Sequence, residues 1–403
     1  MTGLTLLLLI SGFAILLLGG EALVRGASSL GKTLGLPALI IGLTIVSFAT
    51  SAPELAVSVD AALSGNPGLA VGNVVGSNIA NILFVLGLTA VFAALVVRVQ
   101  LIRADIPVMI GFSALALLLA LDGGFSTADG GILLGLLLGY LVVTIWVARR
   151  RSPGADADQL GAEEVLTARP GGSVVAALRA TLLRSVIVDL VLLVAGATML
   201  VVGARFLVDA ATTVASSLGV SDLTIGLTVV AIGTSLPELA TSVVAAVRGQ
   251  RDMAVGNLVG SNIFNIGAVL GVTSIVSSGE IPIDAAAVHF DLPVMFAAAL
   301  VLLPLAFTGR VISQWEGALL VGIYVAYVAY LVLSAGQHAA LQPFSAAMLW
   351  FVLPMTAMWL TSLVGYELGL RRPLRTDEEE EPVDYLRSPR NGSTSVRRPH
   401  RYD

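Results

Sequence analysis

The chain has 403 residues, of which 56% are hydrophobic and 12% are charged, and its net charge is -5. A soluble domain carries about 25% charged residues, so this composition argues against an ordinary soluble enzyme, and the absence of a basic patch argues against a nucleic-acid-binding protein. The lack of cysteine excludes disulfides and thiolate metal sites. We therefore expect a multi-pass membrane protein.

Eleven apolar stretches are long enough to cross a bilayer, whose core of ~30 Å needs about 20 residues per helix. The first stretch continues through Glu21 to Arg25 without a small-residue cleavage site, so we interpret it as a helix and not as a signal peptide. We predict helices 1 to 11 over residues 3–29, 37–63, 68–95, 103–121, 127–148, 183–216, 221–247, 252–277, 285–307, 312–335 and 344–368.

The chain contains an internal repeat. The segment that begins GLTIVSFATSAPE at residue 42 returns as GLTVVAIGTSLPE at residue 226, and the two copies, 42–83 and 226–267, align without a gap. Five helices separate a position from its copy. Because five is odd, the two copies must cross the membrane in opposite directions, as in many secondary transporters.

These observations predict an all-α polytopic membrane protein with two inverted five-helix repeats, which form a ten-helix core, and one extra C-terminal transmembrane helix. The predicted parts are the first repeat, a cytoplasmic linker, the inverted second repeat, the extra helix and a disordered cytoplasmic tail, at 1–148, 149–182, 183–335, 336–370 and 371–403.

Lysine and arginine indicate the orientation. With the predicted helices, every basic residue except Arg205 falls on one side of the membrane. Seven of them lie in short loops, where the positive-inside rule is most informative: Arg25, Lys32, Arg98, Arg103, Arg248, Arg251 and Arg310. We therefore predict a cell-membrane protein with its N-terminus outside and with the linker and the C-terminal tail in the cytoplasm.

Helices 2 and 7 each carry a glutamate after a proline, in the sequences TSAPE and TSLPE. A carboxylate inside a bilayer costs at least ~2.5 kcal/mol, and no basic residue lies at matching depth beside Glu54 or Glu238. The remaining partners are a bound cation or a proton. The prolines also free backbone carbonyls one turn earlier, at Ala49 and Gly233, because proline has no N–H to donate.

Other residues that can offer a side-chain or backbone oxygen share a helix face with these glutamates. Spacings of three and four residues place Ser47 and Thr50 with Glu54, and Ala231 and Thr234 with Glu238. Helices 3 and 8 add Ser77, Asn81, Ser261 and Asn265, which we interpret as ligands, and Asn73 and Asn257, which we interpret as hydrogen-bonding residues between helices. Hydroxyl, amide, carbonyl and carboxylate oxygens suit hard cations such as Ca2+ and Na+.

Among the other acidic residues in or near the predicted helices, four are weaker candidates for the site. Asp105 and Asp291 stand at the starts of helices 4 and 9, two residues before a proline, which predicts helix N-capping. Glu21 and Asp60 have no acidic counterpart in the other repeat, so we expect them at a pore mouth or extending toward the membrane surface.

SAPE and SLPE, paired with two GSNI motifs at one offset, resemble the repeats of the cation/Ca2+ exchanger superfamily, most closely those of prokaryotic sodium/calcium exchangers. The resemblance implies exchange of one Ca2+ for about three Na+ by alternating access. It also implies that Glu54 and Glu238 bind Ca2+ together with the backbone carbonyls of Thr50 and Thr234. The implied sodium ligands are Ser47, Ser51, Ser77, Asn81, Ala231, Ser235, Ser261 and Asn265.

One departure from the family pattern concerns Asn265. Several relatives, notably the potassium-dependent ones, carry aspartate at this position. Asparagine here argues against potassium transport and leaves a site with a formal charge of -2 from its two glutamates.

Three other functions stay open at this point: a H+/Ca2+ exchanger that uses the same carboxylates, a sodium/solute symporter, and a membrane scaffold without transport. An enzyme is not expected, because no nucleotide motif or activated nucleophile is present. We expect Ca2+ and Na+ as transported ions, the lipid bilayer as surroundings, and no organic cofactor or nucleic acid. The sequence does not determine the oligomeric state.

Overall fold

The computed structural model describes residues 3–151, 174–218, 228–229, 231–277 and 279–370. Within these residues ten helices are long and apolar enough to cross a membrane, and the described part of helix 7 is apolar but shorter. Uninterrupted α-helices form helices 1, 5, 6 and 10, at Gly3–Leu34, Thr127–Arg151, Val174–Ser217 and Gln314–Ala335.

Several other helices contain a π-helical segment, in which the backbone bonds reach one residue further than in an α-helix. Helix 2 consists of Ala38–Ile41, the π segment Gly42–Val46 and Ser47–Leu63. Helix 3 consists of Pro67–Ile79, the π segment Ala80–Leu86 and Gly87–Phe92. Its counterpart, helix 8, consists of Arg251–Phe264, the π segment Asn265–Leu270 and Gly271–Val276.

Helices 4 and 9 each begin with a π segment, and helix 11 contains one between two α-helical parts. Helix 4 is Leu101–Asp105 followed by Ile106–Leu119 and a 3-10 turn, Ala120–Asp122. Helix 9 is Ala287–Asp291 followed by Leu292–Phe307. Helix 11 is Leu341–Ala347, Met348–Val352 and Leu353–Leu370.

Some helix ends differ from the prediction. Helix 1 continues to Leu34 and helix 6 begins at Val174, inside the predicted linker 149–182. Helix 3 ends at Phe92, because the chain then pairs as a short strand. Residues 152–173 of the linker, the predicted start of helix 7 at 221–227 and the tail 371–403 lie outside the described residues.

Two short antiparallel ribbons confirm the inverted repeat. Strands β1 to β4 are Leu95–Val96, Gly124–Phe125, Ile281–Pro282 and Val311–Ile312. β1 pairs with β4, with Leu95 opposite Ile312, and β2 pairs with β3, with Phe125 opposite Ile281. β1 and β2 occupy the positions in the first repeat that β3 and β4 occupy in the second. The two ribbons are therefore equivalent by the two-fold relation, and they lie at opposite ends of helix 4.

Helices 1 and 6, the first helices of the two repeats, pack side by side through glycines. A Cβ added at Gly19 would lie 2.9 Å from the backbone nitrogen of Leu200, and one added at Gly203 would lie 2.8 Å from that of Leu16. Contact at this distance between two backbones requires glycine, which is the usual means of close helix approach in membranes. The pair therefore forms one closely packed unit.

The centre of the molecule is formed by helices 3 and 8, whose apolar spans are each 78% buried, whereas that of helix 11 is 0% buried. Helix 11 packs against helices 9 and 10 at the periphery. Trp359 on helix 11 meets Trp315 on helix 10 edge to face, with ring centroids 5.1 Å apart. The additional helix thus packs on the outside of the ten-helix core.

Candidate cation-binding site

Four helical segments meet at the centre of the core. Helix 2 packs against the π segment of helix 8, and helix 7 packs against the π segment of helix 3, so each half of the molecule contributes to both contacts. Helices 2 and 7 also contact each other. This crossing brings together the segments that carry the predicted ligands.

The two glutamates are fully buried at this crossing. Glu54 and Glu238 are each 0% exposed, and none of their four carboxylate oxygens has a hydrogen-bond partner. Glu238 lies within electrostatic range of Glu54, and Thr50 on helix 2 lies beside the Glu238 carboxylate. The ion pairs of the described residues all involve other acids, Glu21 and Asp252. The protein therefore leaves two buried carboxyl groups without a hydrogen-bond or ion-pair partner.

Further buried oxygens near the glutamates also lack partners. Native proteins contain few buried polar atoms without a hydrogen bond, and a cluster of them indicates an ion or a ligand. Besides the two glutamates, the predicted ligands with an unpartnered side-chain oxygen are Ser51, Ser77, Asn81, Ser235 and Asn265. All five are at most 3% exposed.

Three further predicted ligands, Ser47, Thr50 and Ser261, join helix 2 to helix 8 through their hydroxyl groups. The Ser47 hydroxyl has two carbonyls in reach, those of Gly42 at 2.7 Å and Asn257 at 2.9 Å. The Thr50 hydroxyl lies 3.2 Å from that of Ser261. These contacts hold three predicted ligands in place beside the glutamates.

The second repeat differs locally from the first. Helix 2 runs unbroken through Pro53, whereas helix 7 is interrupted at Ser235, between Ala231–Thr234 and Leu236–Val247. Thr234 is half-buried, and the side chain of Ala231 lies outside the described residues. The buried Ser235 hydroxyl has no partner, and neither has that of its counterpart Ser51 in the unbroken helix 2.

The prediction of hydrogen bonds between helices is confirmed for Asn73 and Asn257. Asn73 Nδ2 donates to the Ser58 hydroxyl at 3.0 Å, joining helix 3 to helix 2. Asn257 Nδ2 donates to the Ser242 hydroxyl at the same distance, joining helix 8 to helix 7. The two bonds are related by the repeat symmetry.

Comparison with known proteins places this arrangement in a family. The sequence model of the family described as "Sodium/calcium exchanger protein" matches residues 4–146 and 188–333, which correspond to helices 1–5 and 6–10. The chain belongs to this family.

Three similar proteins span nearly the same region of the chain. The chain is 38% identical to the inner membrane protein YrbG of Escherichia coli over 329 residues, 80% of this chain and 95% of that protein. It is 32% identical to the sodium/calcium exchanger MaX1 of Methanosarcina acetivorans over 345 residues, 81% of this chain and 97% of that protein. The structure of the sodium/calcium exchanger from Methanococcus jannaschii matches with a TM-score of 0.66 and 32% identity, covering 82% of this chain and 99% of that one.

The prediction of N-capping by Asp105 and Asp291 was wrong. Neither Asp105 nor Asp291 caps a helix with its side chain. Each lies inside a longer helix, at the last residue of a π segment. The next N–H, of Ile106 or Leu292, already donates to a backbone carbonyl, and the residue after it is a proline without an N–H. Instead the Asp105 carboxylate accepts a hydrogen bond of 2.9 Å from the Tyr140 hydroxyl, and Asp291 accepts one of 2.9 Å from Tyr327.

Glu21 lies on helix 1 and forms ion pairs with Arg25, at 2.5 Å, and with Arg248 in the loop between helices 7 and 8. Asp60 is exposed. The expected positions at a pore mouth or toward the membrane surface stay predictions.

Two residues near the predicted ligands, Thr241 and Asn78, were given no role in the sequence analysis. Thr241 follows Glu238 by three residues, is 1% exposed and has an unpartnered hydroxyl, whereas Val57 stands at its counterpart in the first repeat. Asn78, in the first GSNI motif, is bonded to the predicted ligand Asn265. The spacing of three residues places Thr241 on the same helix face as Glu238, so the sequence could have indicated it. The sequence gives no such signal for Asn78, because its partner Asn265 lies on another helix.

Proposed function

We propose that the protein is an antiporter that exchanges Ca2+ for Na+ across the cell membrane by alternating access, with about three Na+ per Ca2+. The observation that carries this proposal is the set of buried, unpartnered oxygens around Glu54 and Glu238. Two carboxylates carry the negative charge that neutralises one Ca2+, and neutral hydroxyl and amide oxygens can coordinate Na+. The names of the Methanosarcina and Methanococcus relatives, both sodium/calcium exchangers, support the same choice of ions.

The donor set fits transport of hard cations better than catalysis or a transition-metal site. Among the described residues, no group of three or more acidic, histidine or cysteine side chains forms a metal cluster. The proposed ligands are all oxygen donors, whereas zinc and copper prefer thiolate and imidazole ligands. We propose a transporter without enzymatic activity or an organic cofactor.

The charge of the site explains why the two ions would exchange. Two glutamates neutralise one Ca2+, whereas three Na+ would leave one excess positive charge, so the two loads should exclude each other. A cycle of this kind moves net charge. Since one elementary charge is worth ~2.3 kcal/mol per 100 mV, a negative cell interior would favour Ca2+ extrusion.

The burial of the site requires movement during transport. Glu54 and Glu238 are 0% exposed, so ions reach them only after helices separate on one side. Inverted repeats provide two such openings, because each half can adopt the conformation of the other. We propose that these openings face the two sides of the membrane in turn.

The decisive experiment measures 45Ca uptake into proteoliposomes that contain the purified protein. We expect an outward Na+ gradient at constant pH to drive uptake, with a transport current, and we expect K+ to have no effect. Uptake driven by a pH gradient without Na+ would instead support the alternative, a H+/Ca2+ exchanger that uses the same carboxylates. Na+-driven uptake without current would contradict the proposed stoichiometry.

The proposed orientation can be tested because the chain has no cysteine. Ser64, which follows helix 2, and Arg251, the first residue of helix 8, are both exposed and can each be replaced by a single cysteine. We expect a membrane-impermeant maleimide to label Ser64→Cys in intact cells and Arg251→Cys only after the cells are opened. The reverse pattern would show that the N-terminus is cytoplasmic.

A further inference from the structure

Asn78 lies on helix 3 between two proposed ligands, Ser77 and Asn81, and is 0% exposed. Its side chain is directed to neighbouring helices. The Asn78 Oδ1 atom accepts a hydrogen bond of 3.2 Å from Asn265 Nδ2 on helix 8. Its own Nδ2 donates to the backbone oxygen of Asn262, at 3.4 Å, and to the sulfur of Met295, at 3.6 Å. Both polar atoms of Asn78 are therefore engaged by the protein.

The hydrogen bond from Asn265 to Asn78 determines which of the two polar side-chain atoms of Asn265 faces the site. A side-chain amide carries one oxygen acceptor and one NH2 donor, and a half-turn exchanges their positions. Because Asn78 holds the NH2 group, the Asn265 Oδ1 atom points the other way, where it is buried without a partner. An oxygen can coordinate a cation, whereas an NH2 group in the same place would repel it.

The other half of the molecule lacks this bond. The repeat relation places Asn262 at the position of Asn78 and Asn81 at that of Asn265. Neither polar side-chain atom of Asn81 has a partner, and Asn262 Nδ2 donates to the Leu258 carbonyl of its own helix at 2.7 Å. The asymmetry shows that the Asn78–Asn265 bond is not a general consequence of the fold.

We propose that Asn78 is a positioning residue that fixes the Asn265 amide with its oxygen toward a transported Na+. Asparagine needs this fixing because only one of its two end atoms is a ligand, whereas an aspartate would present oxygen in either orientation. The inference rests on the proposed function and assigns to Asn78 a role in Na+ binding rather than in Ca2+ binding.

The test compares Asn78→Leu with the wild type in proteoliposomes. Leucine has a similar size but cannot accept the bond from Asn265. We expect the Na+ concentration for half-maximal Na+-driven 45Ca efflux to rise about tenfold, the effect of losing one such buried bond. The Ca2+ concentration for half-maximal Ca2+/Ca2+ exchange should change by less than about twofold. Thr89→Val is the control, because Thr89 is a buried residue on helix 3 whose hydroxyl bonds only the Val85 carbonyl.

The Asn265→Asp background distinguishes positioning from a general packing effect. There Asn78→Leu should no longer raise the half-maximal Na+ concentration, since both end atoms of residue 265 are then oxygens. An equal effect of Asn78→Leu in both backgrounds, or no effect in either, would overturn the role of Asn78. A wild type without any Na+-driven flux would instead refute the proposed coupling ion, and this inference with it.

Discussion

At the scale of single residues, the main feature is a pair of acids that the fold buries without a partner. Glu54 and Glu238 are both 0% exposed, and their carboxylates accept no hydrogen bond. Burying an uncompensated charge is strongly unfavourable. Both repeats retain this unfavourable burial, and we propose that a bound cation compensates it during transport.

This cost predicts that removing either charge stabilises the protein when no cation is present. In buffer without Ca2+ or Na+, Glu54→Gln and Glu238→Gln should each raise the free energy of unfolding by at least about 1 kcal/mol, which differential scanning fluorimetry would detect as a higher Tm. Added Ca2+ should raise the Tm of the wild type and leave that of both variants unchanged, since ligand binding stabilises only the form that binds.

Glu316→Gln is the matched control for this prediction. Glu316 is 5% exposed, but its carboxylate accepts hydrogen bonds from the Ser313 backbone and hydroxyl, both at 2.7 Å. This variant should keep the Ca2+ response of the wild type. Variants of Glu54 and Glu238 that are less stable without cations and still respond to Ca2+ would contradict the account.

The two acids were predictable from sequence, whereas their supporting residues were not. A glutamate in an apolar helix stands out because nothing in its own segment neutralises it. The asparagines of helix 3 do not stand out from one another, because Asn73, Asn78 and Asn81 occupy similar apolar surroundings in sequence. Their different roles depend on partners on helices 2 and 8, and the order of residues does not contain that information.

At the scale of elements, π segments occur at corresponding places in the two repeats. Asn81 and Asn265 lie in one such pair, and Asp105 and Asp291 end another. A π segment shifts the register of the residues that follow it, and such segments are frequent at functional sites. The apolar stretches predicted where the helices lie, but hydrophobic periodicity does not distinguish π from α backbone.

The bond between Tyr140 and Asp105 predicts a stability effect in the first repeat. Asp105 is 2% exposed, and its other oxygen is 3.5 Å from Gln100 Nε2, a weak contact. Tyr140→Phe would remove the main hydrogen bond of a buried carboxylate and should lower the free energy of unfolding by about 1–3 kcal/mol. Thermal unfolding in detergent would measure this loss.

Tyr330→Phe provides the comparison. The Tyr330 ring packs against that of Phe290 in a tilted arrangement, with ring centroids 4.3 Å apart, so this variant removes a hydroxyl and keeps the ring contact. We expect a smaller decrease in Tm than for Tyr140→Phe. Equal decreases would show that the Asp105 carboxylate does not depend on Tyr140.

At the scale of the whole molecule, the symmetry of the ten-helix core was predictable because the duplication is still readable in the sequence. The ribbons β1–β4 and β2–β3 were not, since strands of two residues give no periodic signal. The departures from symmetry, such as the break at Ser235, are also visible only in the structure.

Helix 11 lies outside the core that the family model matches, which ends at residue 333. Among the described residues it contacts helices 9 and 10 and brings no side chain to the site. A chain that stops after Gly336 should therefore retain Na+-driven 45Ca uptake in proteoliposomes. Loss of uptake by truncated protein that still shows a Ca2+-dependent rise in Tm would instead assign helix 11 a part in the transport cycle.

The central claim is that one glutamate from each repeat binds the same Ca2+. Isothermal titration calorimetry of the purified protein with Ca2+ tests this claim most directly. We predict one Ca2+ per chain, competition by Na+, and loss of binding when either Glu54 or Glu238 is replaced by glutamine. Two Ca2+ per chain, or wild-type affinity after either replacement, would contradict the claim.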